Sequence, residues 1–577
     1  MNKSQYEFIS QDRSGSPRQL WRTLAPAFLF FAIISVLLIA DPSWRLEVFL
    51  IPVFVFTAFV TRRYGWDRGS LLAILSGFWM NLSMPDIQFS AIIFVALIPL
   101  FAVSEKADRL WKPVVYGCIA CLSCAHFMNG WALNALSRMC EMSRLAIYPL
   151  FIGFFFAHLW KFLWFALAAY FNARHLRLPR IIILPTAFAV LELFKLEMYP
   201  WPLGLALIEH TRWIQIVDLV GLPGLSFLIV FVNVALFEIG VRVRQKNYRN
   251  AVRFAVACLV AIALWGLYGQ LRMAQVQQVQ IQGTPIQVAV VQPNSPFKVT
   301  SDDVDAERHV NESLYSLAHR AVKDVSADLL VFAEAAGSVG YQTNDNPDLC
   351  EMYRRIAREI ACPIVFDNVH VKRNDHGWTL HRTALLLSPQ AEILGEYIKR
   401  RLVPFGEYVP FVRQLPFLKR VFPNAAGHLN YQPGTEAPVW SVAGVSIVPQ
   451  ICYEIIYPQL TRSHKTGGSG LIVNISNDAW YGGDKQPQQH FLASVFRCVE
   501  NRMPMVRVAN TGISAYVAAS GEVMEPVSPM NEPWVDCRTV MVPQLGSVYR
   551  RFGDWFGWLC LVVLLGSGLW RRLQSRS

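Results

Sequence analysis

Long apolar runs, separated by short loops that carry Arg and Lys, constrain this chain more than any other feature of its sequence. A membrane-spanning helix needs about 20 mostly apolar residues. Runs of roughly that length fill the first half of the chain, and one more lies near its C-terminus. We predict ten spans, over residues 24–40, 46–61, 69–84, 87–103, 113–135, 146–172, 181–198, 217–240, 251–270 and 555–570.

The charges of the loops predict how these spans are oriented. Short cytoplasmic loops of membrane proteins carry an excess of Arg and Lys. With the N-terminus inside, the inside loops are all basic: 62–68, 105–112, 174–180 and 242–249. Outside loops such as 41–45 and 84–86 are poor in Arg and Lys. The alternation holds through nine helices, so we expect residues 285–545 to lie outside the cytoplasm.

The composition fits a membrane protein rather than a nucleic-acid-binding one. The 577 residues are 53% hydrophobic, and the formal net charge is +12. The basic residues gather in loops between apolar runs, which is how a membrane protein sets its orientation. We therefore expect no nucleic-acid partner.

The 11 cysteines follow no framework spacing. Cys118, Cys121 and Cys124 have metal-like spacing, but they lie in a membrane-length apolar run, where small residues pack helices. We interpret them as packing residues and expect no metal site. Cys350 and Cys362 lie in the second half and are able to pair if that half faces an oxidising compartment. The sequence leaves that pairing open.

Ionisable residues interrupt some of the spans. Lys161 lies in the 146–172 run, and Glu192 and Lys195 are spaced to pair on one helical face. Intramembrane charges mark either a functional site or a simple ion pair. Both interpretations stay open for these residues.

The second half has the pattern of a layered α/β domain. Two segments, Glu307–Lys323 and His490–Asn501, have helical spacing. They alternate with strand-like runs at Ile286–Val291, Leu329–Phe332, Pro363–Val369, Thr383–Leu387, Val445–Ile451, Leu471–Ile475 and Met505–Val508. Strands that alternate with helices indicate an α/β fold. No glycine-rich phosphate loop follows these strands, which disfavours a nucleotide-dependent enzyme.

Three reactive side chains follow predicted strands or short β-prone segments of this half. Glu334 follows the strand LLVFA, Lys399 precedes a loop that contains Glu407, and Cys452 follows its own strand. A carboxylate, an ammonium and a thiol at strand ends are able to meet at one rim of a sheet. Each also has a plainer interpretation: Glu334 as a helix cap, Lys399 as a solvated cation, and Cys452 as core.

The residues around these three side chains resemble the apolipoprotein N-acyltransferase family, the membrane-embedded branch of the nitrilase superfamily. The resemblance covers roughly residues 69–575 and implies an αββα sandwich. The stretches that carry it are VAVVQPN (288–294), LLVFAEAA (329–336), KRRLVPFGEYVPF (399–411), ICYEIIYP (451–458), ISNDAWYG (475–482), Gln489–Ala515 and YPWPLG (199–204).

The resemblance implies a mechanism for these residues. Cys452 would be the nucleophile, Glu334 the general base and Lys399 the stabiliser of the oxyanion. Glu407, Tyr453 and Glu454 would orient the lysine or line the pocket. An acyl chain would pass from a phospholipid through a thioester on Cys452 to the α-amino group of a diacylglyceryl-cysteine at a lipoprotein N-terminus.

The resemblance also sets expectations for the setting of this reaction. We expect no cofactor, a monomer, and a multi-pass location in a bacterial inner membrane with the catalytic domain on the periplasmic side. The expected parts are an extension with two spans (1–65), a transmembrane domain (66–275), a nitrilase-like domain (285–545) and a C-terminal helix with a basic tail (553–577). One departure from the family pattern is Phe332-Ala333, which stand where Trp-Pro is usual.

Two other functions are compatible with the same residues. In a membrane-tethered amidase or nitrilase-type hydrolase, water rather than an amine would resolve the thioester. In a transporter or scaffold, the nitrilase-like domain would be inactive. The presence of all three reactive residues argues against the scaffold, and the long apolar half favours acyl transfer over hydrolysis.

Overall fold

The fold consists of a helical N-terminal half, an α/β half and a C-terminal helix. A computed structural model of the chain describes residues 17–40, 47–85, 89–194, 199–296, 304–336, 347–374, 377–412, 414–422, 431–467, 469–483 and 485–574. Lys195, in the predicted pair with Glu192, lies outside the described residues, as do the first sixteen residues.

Helices occupy nine of the ten predicted spans, although the span over 113–135 is divided at Asn129 and Gly130 between two helices. Those of the N-terminal half are Pro17–Ala40, Glu47–Tyr64, Arg68–Leu82, Ile98–Lys106, Trp111–Met128, Trp131–Cys140, Arg144–Phe171, Arg180–Leu193, Thr211–Ile214, Val217–Arg244 and Tyr248–Ile281. The chain ends with Val548–Phe552 and Trp555–Gln574. Among the described residues, three helices are long and apolar enough to cross a membrane: Pro17–Val36, Val217–Arg244 and Tyr248–Ile281. The total of ten spans stays a prediction.

The prediction of one continuous span over 87–103 is wrong. A 3₁₀ turn, Ser90–Phe94, is followed by the short helix Ile98–Lys106. The side chain of Asn233 satisfies the broken backbone: its Oδ1 accepts from the Leu97 amide at 3.1 Å, and its Nδ2 donates to the Ile93 carbonyl at 2.8 Å. Buried backbone groups need such partners, and an apolar count does not reveal them.

The two longest helices of this half differ in their surroundings. In the apolar window of Val217–Arg244, 67% of the residues are buried, against 22% in that of Tyr248–Ile281. Leu259, Leu264 and Leu271 on the second helix are more than 60% exposed. An exposed apolar face of that length suits a lipid environment. The first helix therefore lies at the centre of the bundle, and the second at its periphery.

The α/β half contains two six-stranded sheets. The strands are β1 (Thr284–Gln292), β2 (Leu329–Phe332), β3 (Ile364–Asn374), β4 (Gly377–Leu387), β5 (Ile393–Ile398), β6 (Trp440–Val442), β7 (Val445–Ile451), β8 (Leu471–Ser476), β9 (Met505–Ala509), β10 (Ala515–Val517), β11 (Val523–Met524) and β12 (Trp534–Val542). Their orders are β12-β1-β2-β3-β4-β5 and β11-β10-β9-β8-β7-β6. The sheets face each other through β1 and β9 and through β4 and β7.

Helices cover these sheets and connect them to the membrane half. The helices of the α/β half are Val304–Ala321, Pro347–Ile360, Leu418–Val421, Pro458–Arg462 and Lys485–Asn501. Val304–Ala321 packs on β1 and β12, whereas Lys485–Asn501 packs on Val217–Arg244. All seven predicted strands are present, and the sequence did not predict β5, β6, β10, β11 and β12.

Cys362 is a buried free thiol whose Sγ lies 3.2 Å from the Pro363 carbonyl; the Cys350 side chain is outside the described residues.

A buried ion cluster joins the two halves. Asp218, near the start of Val217–Arg244, accepts from Arg502 at 2.7 Å and from Arg272 at 2.6 Å, and its other oxygen accepts from the Tyr268 hydroxyl at 2.6 Å. Arg502 also donates to Gln215 Oε1 at 2.7 Å. These contacts fix the α/β half against the helices.

A second buried ion pair lies within the helices. Glu192 pairs with Lys161 at 3.9 Å. Its carboxylate accepts from the Leu203 amide at 2.9 Å, and Lys161 donates to the Trp201 carbonyl at 3.1 Å. The pair therefore holds the backbone of the Tyr199–Gly204 segment, next to the α/β half.

Candidate active site

Three reactive side chains meet where strands of the two facing sheets end. Glu334 follows β2, Lys399 follows β5 directly, and Cys452 follows β7 directly. β2 and β7 are apolar and buried, so the first polar side chain after each of them emerges at the rim of the core, whereas β5 is mostly exposed and only its last residues lead into the core. All three are at most 2% exposed. The structure therefore brings together the three residues that the sequence singled out.

Lys399 lies between two carboxylates. Its Nζ is 2.7 Å from Glu407 Oε1 and 3.4 Å from Glu334 Oε1. Glu407 is held in place because its Oε2 accepts from the Val403 amide at 2.7 Å. The second oxygen of Glu334 accepts from the Asn477 amide at 2.9 Å. The ammonium is therefore a fixed cation.

The charges around Glu334 keep it ionised. Burial alone would raise its pKa, but Lys399 and Arg382 outweigh burial and hold the pKa of Glu334 below its ordinary value. Burial works to lower the pKa of Lys399, whereas Glu334 and Glu407 raise it well above its usual range. The site therefore holds a carboxylate base beside a permanent cation.

Cys452 is a neutral thiol in the resting site. Burial, followed by the charge of Glu334, raises the pKa of Cys452 far above its ordinary value, and Lys399 opposes this only in part. The thiol lies within hydrogen-bonding reach of Glu334. Its backbone has φ of 55°, in the left-handed region, so the chain turns sharply out of β7. A proton acceptor is thus in place for a thiol that needs one.

Glu454 anchors the backbone next to both the lysine and the thiol. Its Oε1 accepts from the amides of Arg400 at 2.6 Å and Arg401 at 2.9 Å. Its Oε2 accepts from the Ile451 amide at 3.0 Å and the Tyr397 hydroxyl at 2.9 Å. One buried side chain therefore connects the end of β7 to the segment that follows Lys399.

Tyr453 connects the same two segments by a different bond. Its hydroxyl donates to the Leu402 carbonyl at 2.8 Å, and the side chain is buried. Its ring stacks edge-on against Tyr457 at 5.4 Å. Tyr453 and Glu454 thus both support the lysine loop, which is one of the two roles predicted for them.

The sequence did not predict a buried Arg–Asp pair behind Glu334. Arg382, on β4, lies 3.5 Å from Glu334 and 3.1 Å from Asp367 on β3. Asp367 accepts from the Ala335 amide at 3.0 Å, which fixes the turn after Glu334. Burial raises the pKa of Asp367 to about 7, and Arg382 opposes this shift. No local sequence pattern predicts the pair, because Arg382 and Asp367 lie on different strands and come together only in the folded sheet.

A second unpredicted charge cluster lies next to Cys452. Asp478 is 3.0 Å from Arg507 and 3.0 Å from His490 Nδ1, and all three side chains are buried. Ser476, at the end of β8, has its hydroxyl 3.6 Å from Cys452 Sγ. Ser476 and Asp478 belong to the ISNDAWYG stretch that carried the resemblance. That stretch was the available signal, although no chemical role was predicted for its residues.

Aromatic residues from the helical half complete the surroundings of the thiol. Tyr481 lies near Cys452, and its ring packs edge-on against that of Trp131 at 5.2 Å between centroids. Trp131 in turn packs against Tyr199 at 5.5 Å. The Trp131 indole donates to Gln489 on the helix Lys485–Asn501 at 2.9 Å. The membrane half therefore contributes directly to the environment of the site.

Family models match both halves of the chain. The model described as the apolipoprotein N-acyltransferase N-terminal domain matches residues 76–235, and the carbon-nitrogen hydrolase model matches residues 287–535. An apolipoprotein N-acyltransferase of Geobacter metallireducens is 31% identical over 519 residues, which are 86% of this chain and 93% of that protein. The chain belongs to the apolipoprotein N-acyltransferase family.

Other members of the family are more distant over similar or shorter lengths. The protein of Rickettsia typhi is 30% identical over 63% of this chain and 71% of its own length. That of Borreliella burgdorferi is 22% identical over 86% of this chain and 94% of its own length. The chain is therefore an acyltransferase with a carbon-nitrogen hydrolase domain. The predicted fold class, a helical membrane domain joined to an α/β nitrilase-like domain, is confirmed.

Proposed function

We propose that this acyltransferase moves an acyl chain from a phospholipid to the α-amino group of a diacylglyceryl-cysteine at a lipoprotein N-terminus. The names of its relatives and the pairing of a membrane domain with a hydrolase domain support this proposal. The observation that carries it is the buried pair of an ionised Glu334 and a neutral Cys452 beside the fixed cation of Lys399.

In the first half-reaction, Glu334 takes the thiol proton as the sulfur of Cys452 attacks the ester carbonyl carbon. The tetrahedral oxyanion forms close to Lys399, and a fixed donor of this kind is typically worth about 10²–10³ in rate. Collapse of the intermediate expels the lysophospholipid alkoxide, which takes the proton back from Glu334. An acyl thioester remains on Cys452.

In the second half-reaction, the α-amino group attacks the thioester carbonyl. Glu334 takes the proton that the nitrogen loses, the thiolate leaves, and the same proton restores the neutral thiol of Cys452. Two half-reactions through one thiol predict ping-pong kinetics. Glu407, Tyr453 and Glu454 act as positioning residues, because each of them holds Lys399 or the backbone beside it.

Mass spectrometry of the purified protein tests this function. After incubation with a labelled phospholipid, we expect an acyl adduct on Cys452 that a diacylated lipopeptide removes as its N-acyl product. Cys452→Ala is expected to carry no adduct. The absence of an acyl adduct in the wild type, or an undiminished adduct in Cys452→Ala, would contradict the mechanism. An adduct that only hydrolyses would identify a membrane-bound hydrolase instead.

The proposal includes a location in the bacterial inner membrane with the α/β half in the periplasm. It is supported by the basic loops of the sequence and by the apolar outer face of Tyr248–Ile281. Glu532 lies on the exposed surface of the α/β half. A membrane-impermeant maleimide should label Glu532→Cys in intact spheroplasts above the wild-type background. Labelling only after lysis would contradict this orientation.

A further inference from the structure

The hydroxyl of Ser476 has one proton to donate and lies near two acceptors. Its Oγ lies 3.6 Å from Cys452 Sγ and 3.2 Å from Asp478 Oδ1. Ser476 ends β8, which pairs in parallel with β7, so Ile475 is in register with Ile451 and the serine and the cysteine leave the sheet side by side. Ser476 is fully buried, so bulk water does not compete for its proton.

Arg507 polarises this hydroxyl. Its Nη2 donates to Ser476 Oγ at 3.3 Å and to Asp478 Oδ2 at 3.0 Å, and its Nη1 donates to Asn474 Oδ1. A cation that occupies a lone pair of the hydroxyl oxygen makes its proton a better donor. Asn474 in turn donates to the Cys452 carbonyl at 3.2 Å, so Arg507 also holds the backbone of the nucleophile.

Asp478 does not depend on the Ser476 proton. His490 Nδ1 lies 3.0 Å from Asp478 Oδ1 and 3.1 Å from Arg507 Nη2; in the tautomer with its proton on Nδ1, His490 donates to the carboxylate, which only accepts. With His490 and Arg507 both donating to Asp478, the serine hydroxyl is able to turn to the sulfur without leaving a buried carboxylate oxygen unsatisfied. The next residue, Asn477, donates its amide to Glu334 at 2.9 Å. One short segment therefore contacts both the nucleophile and its base.

We propose that Ser476 is a further catalytic residue, whose hydroxyl donates to the sulfur of Cys452 as the thiolate forms, with Arg507 and Asp478 as positioning residues. This inference rests on the proposed function, because it takes Cys452 as the nucleophile. No bond to Ser476 is made or broken: the serine keeps its proton, and Glu334 receives the proton of the thiol. The same hydrogen bond stabilises the thiolate again when it leaves the thioester.

The pH dependence of Cys452 alkylation measures this hydrogen bond. Titratable and charged groups from several elements face the thiol. Strand ends contribute Glu334 after β2, Lys399 after β5, and Asp478 and Tyr481 after β8. The others are His490 on the helix Lys485–Asn501, Arg507 on β9 and Tyr199 from the helical half. Ser476→Ala leaves all of these charges in place. A shift in the variant therefore reports the hydroxyl and not a lost charge.

The experiment uses the intact protein in detergent, with iodoacetamide as the probe and mass spectrometry of Cys452 as the readout. Below the pKa of the thiol, the alkylation rate rises about tenfold per pH unit, because only the thiolate reacts. In Ser476→Ala we expect this pH–rate profile to move up by about one pH unit and thioester formation to slow by about tenfold, the size of one hydrogen bond to a charged group. Ser476→Thr keeps the hydroxyl and is expected to return both values toward the wild type. The matched control is Ser494→Ala, since Ser494 is equally buried but donates to the Phe491 carbonyl of its own helix.

Each result decides the inference. An unchanged pH–rate profile of alkylation with an unchanged rate of thioester formation in Ser476→Ala, or equal changes in Ser494→Ala, overturns it. A thermal unfolding midpoint recorded for each variant separates a lost hydrogen bond from a destabilised fold. If the reaction rates of the variants decrease only in proportion to their thermal midpoints, the inference is also overturned. If the wild type forms no phospholipid-derived thioester, the proposed function fails, while the pH–rate profile of alkylation still reports whether Ser476 stabilises the thiolate.

Discussion

Replacing Glu454 by glutamine distinguishes a hydrogen-bond anchor from an acid–base group. The carboxylate of Glu454 accepts four hydrogen bonds, from the amides of Arg400, Arg401 and Ile451 and from the Tyr397 hydroxyl. Its side chain is fully buried, so water does not replace a lost partner. A glutamine that turns its oxygen toward Arg400 and Arg401 keeps two of the four bonds.

The other two bonds determine the expected loss. The new amide group would face the Ile451 amide, donor against donor, while the Tyr397 hydroxyl is free to rotate and accept. One buried donor left without a partner costs about 1–3 kcal/mol, so we expect Glu454→Gln to lower the free energy of unfolding by about 2 kcal/mol. For a domain of this size, that corresponds to a fall of about 4–8 °C in the thermal midpoint. Glu454→Ala removes all four acceptor contacts and should lose the folded site.

Activity gives the second half of the test. Because Glu454→Gln keeps the bonds that hold the segment after Lys399, we expect thioester formation on Cys452 to stay within about tenfold of the wild type. Loss of a general acid or base would cost about 10²–10⁴. Thermal unfolding in detergent and single-turnover acylation measure the two quantities, with the exposed Glu436→Gln as the control. A Glu454→Gln protein of wild-type stability that has lost more than a hundredfold in rate would refute the reasoning.

Two further predictions concern stability. Burial lowers the pKa of His464 to about 4, below the unfolded value of about 6.5. The stability that His464 contributes is therefore present above pH 6.5 and is lost as the pH falls toward 4. His464→Gln should flatten this part of the profile of thermal midpoint against pH, and identical profiles would contradict the prediction. Asp218→Asn leaves Arg502 and Arg272 without their buried carboxylate and should cost about 3–5 kcal/mol. Its thermal midpoint should fall well below that of the exposed control Asp324→Asn, and equal midpoints would show that the cluster does not hold the two halves together.

The sequence placed two of the reactive residues, Glu334 and Cys452, after buried apolar strands. Glu334 and Cys452 come after strands whose hydrophobicity is plain, and Lys399 stands before a loop punctuated by Pro and Gly. These local patterns left plainer interpretations open for each residue, and it was the resemblance of the flanking stretches to a known family that gave the three residues their predicted roles. The mutual distances were not predictable, because Lys399 and Glu407 depend on how the loop after β5 folds back.

Residues that act through contacts across elements escaped prediction. Arg382 lies inside β4, where a charge has no local reason to be buried; only Asp367 and Glu334 on other segments explain it. In the helical half, the structure pairs Glu192 with Lys161 on another helix, a contact that sequence spacing did not predict; the predicted partner Lys195 lies outside the described residues. Helical spacing detects neighbours three or four residues apart, but it does not detect partners that packing brings together.

The left-handed backbone at Cys452 has a consequence for stability and for the choice of inactive variants. A residue with a β-carbon at φ of 55° costs roughly 1–2 kcal/mol relative to glycine. The chain thus gives up stability at the position where it carries out chemistry, and alanine keeps that strain while it removes the thiol. We expect Cys452→Gly to unfold at a higher temperature than Cys452→Ala. Glycine is therefore the better replacement in a thiol-free protein meant to trap both lipid substrates for crystallisation.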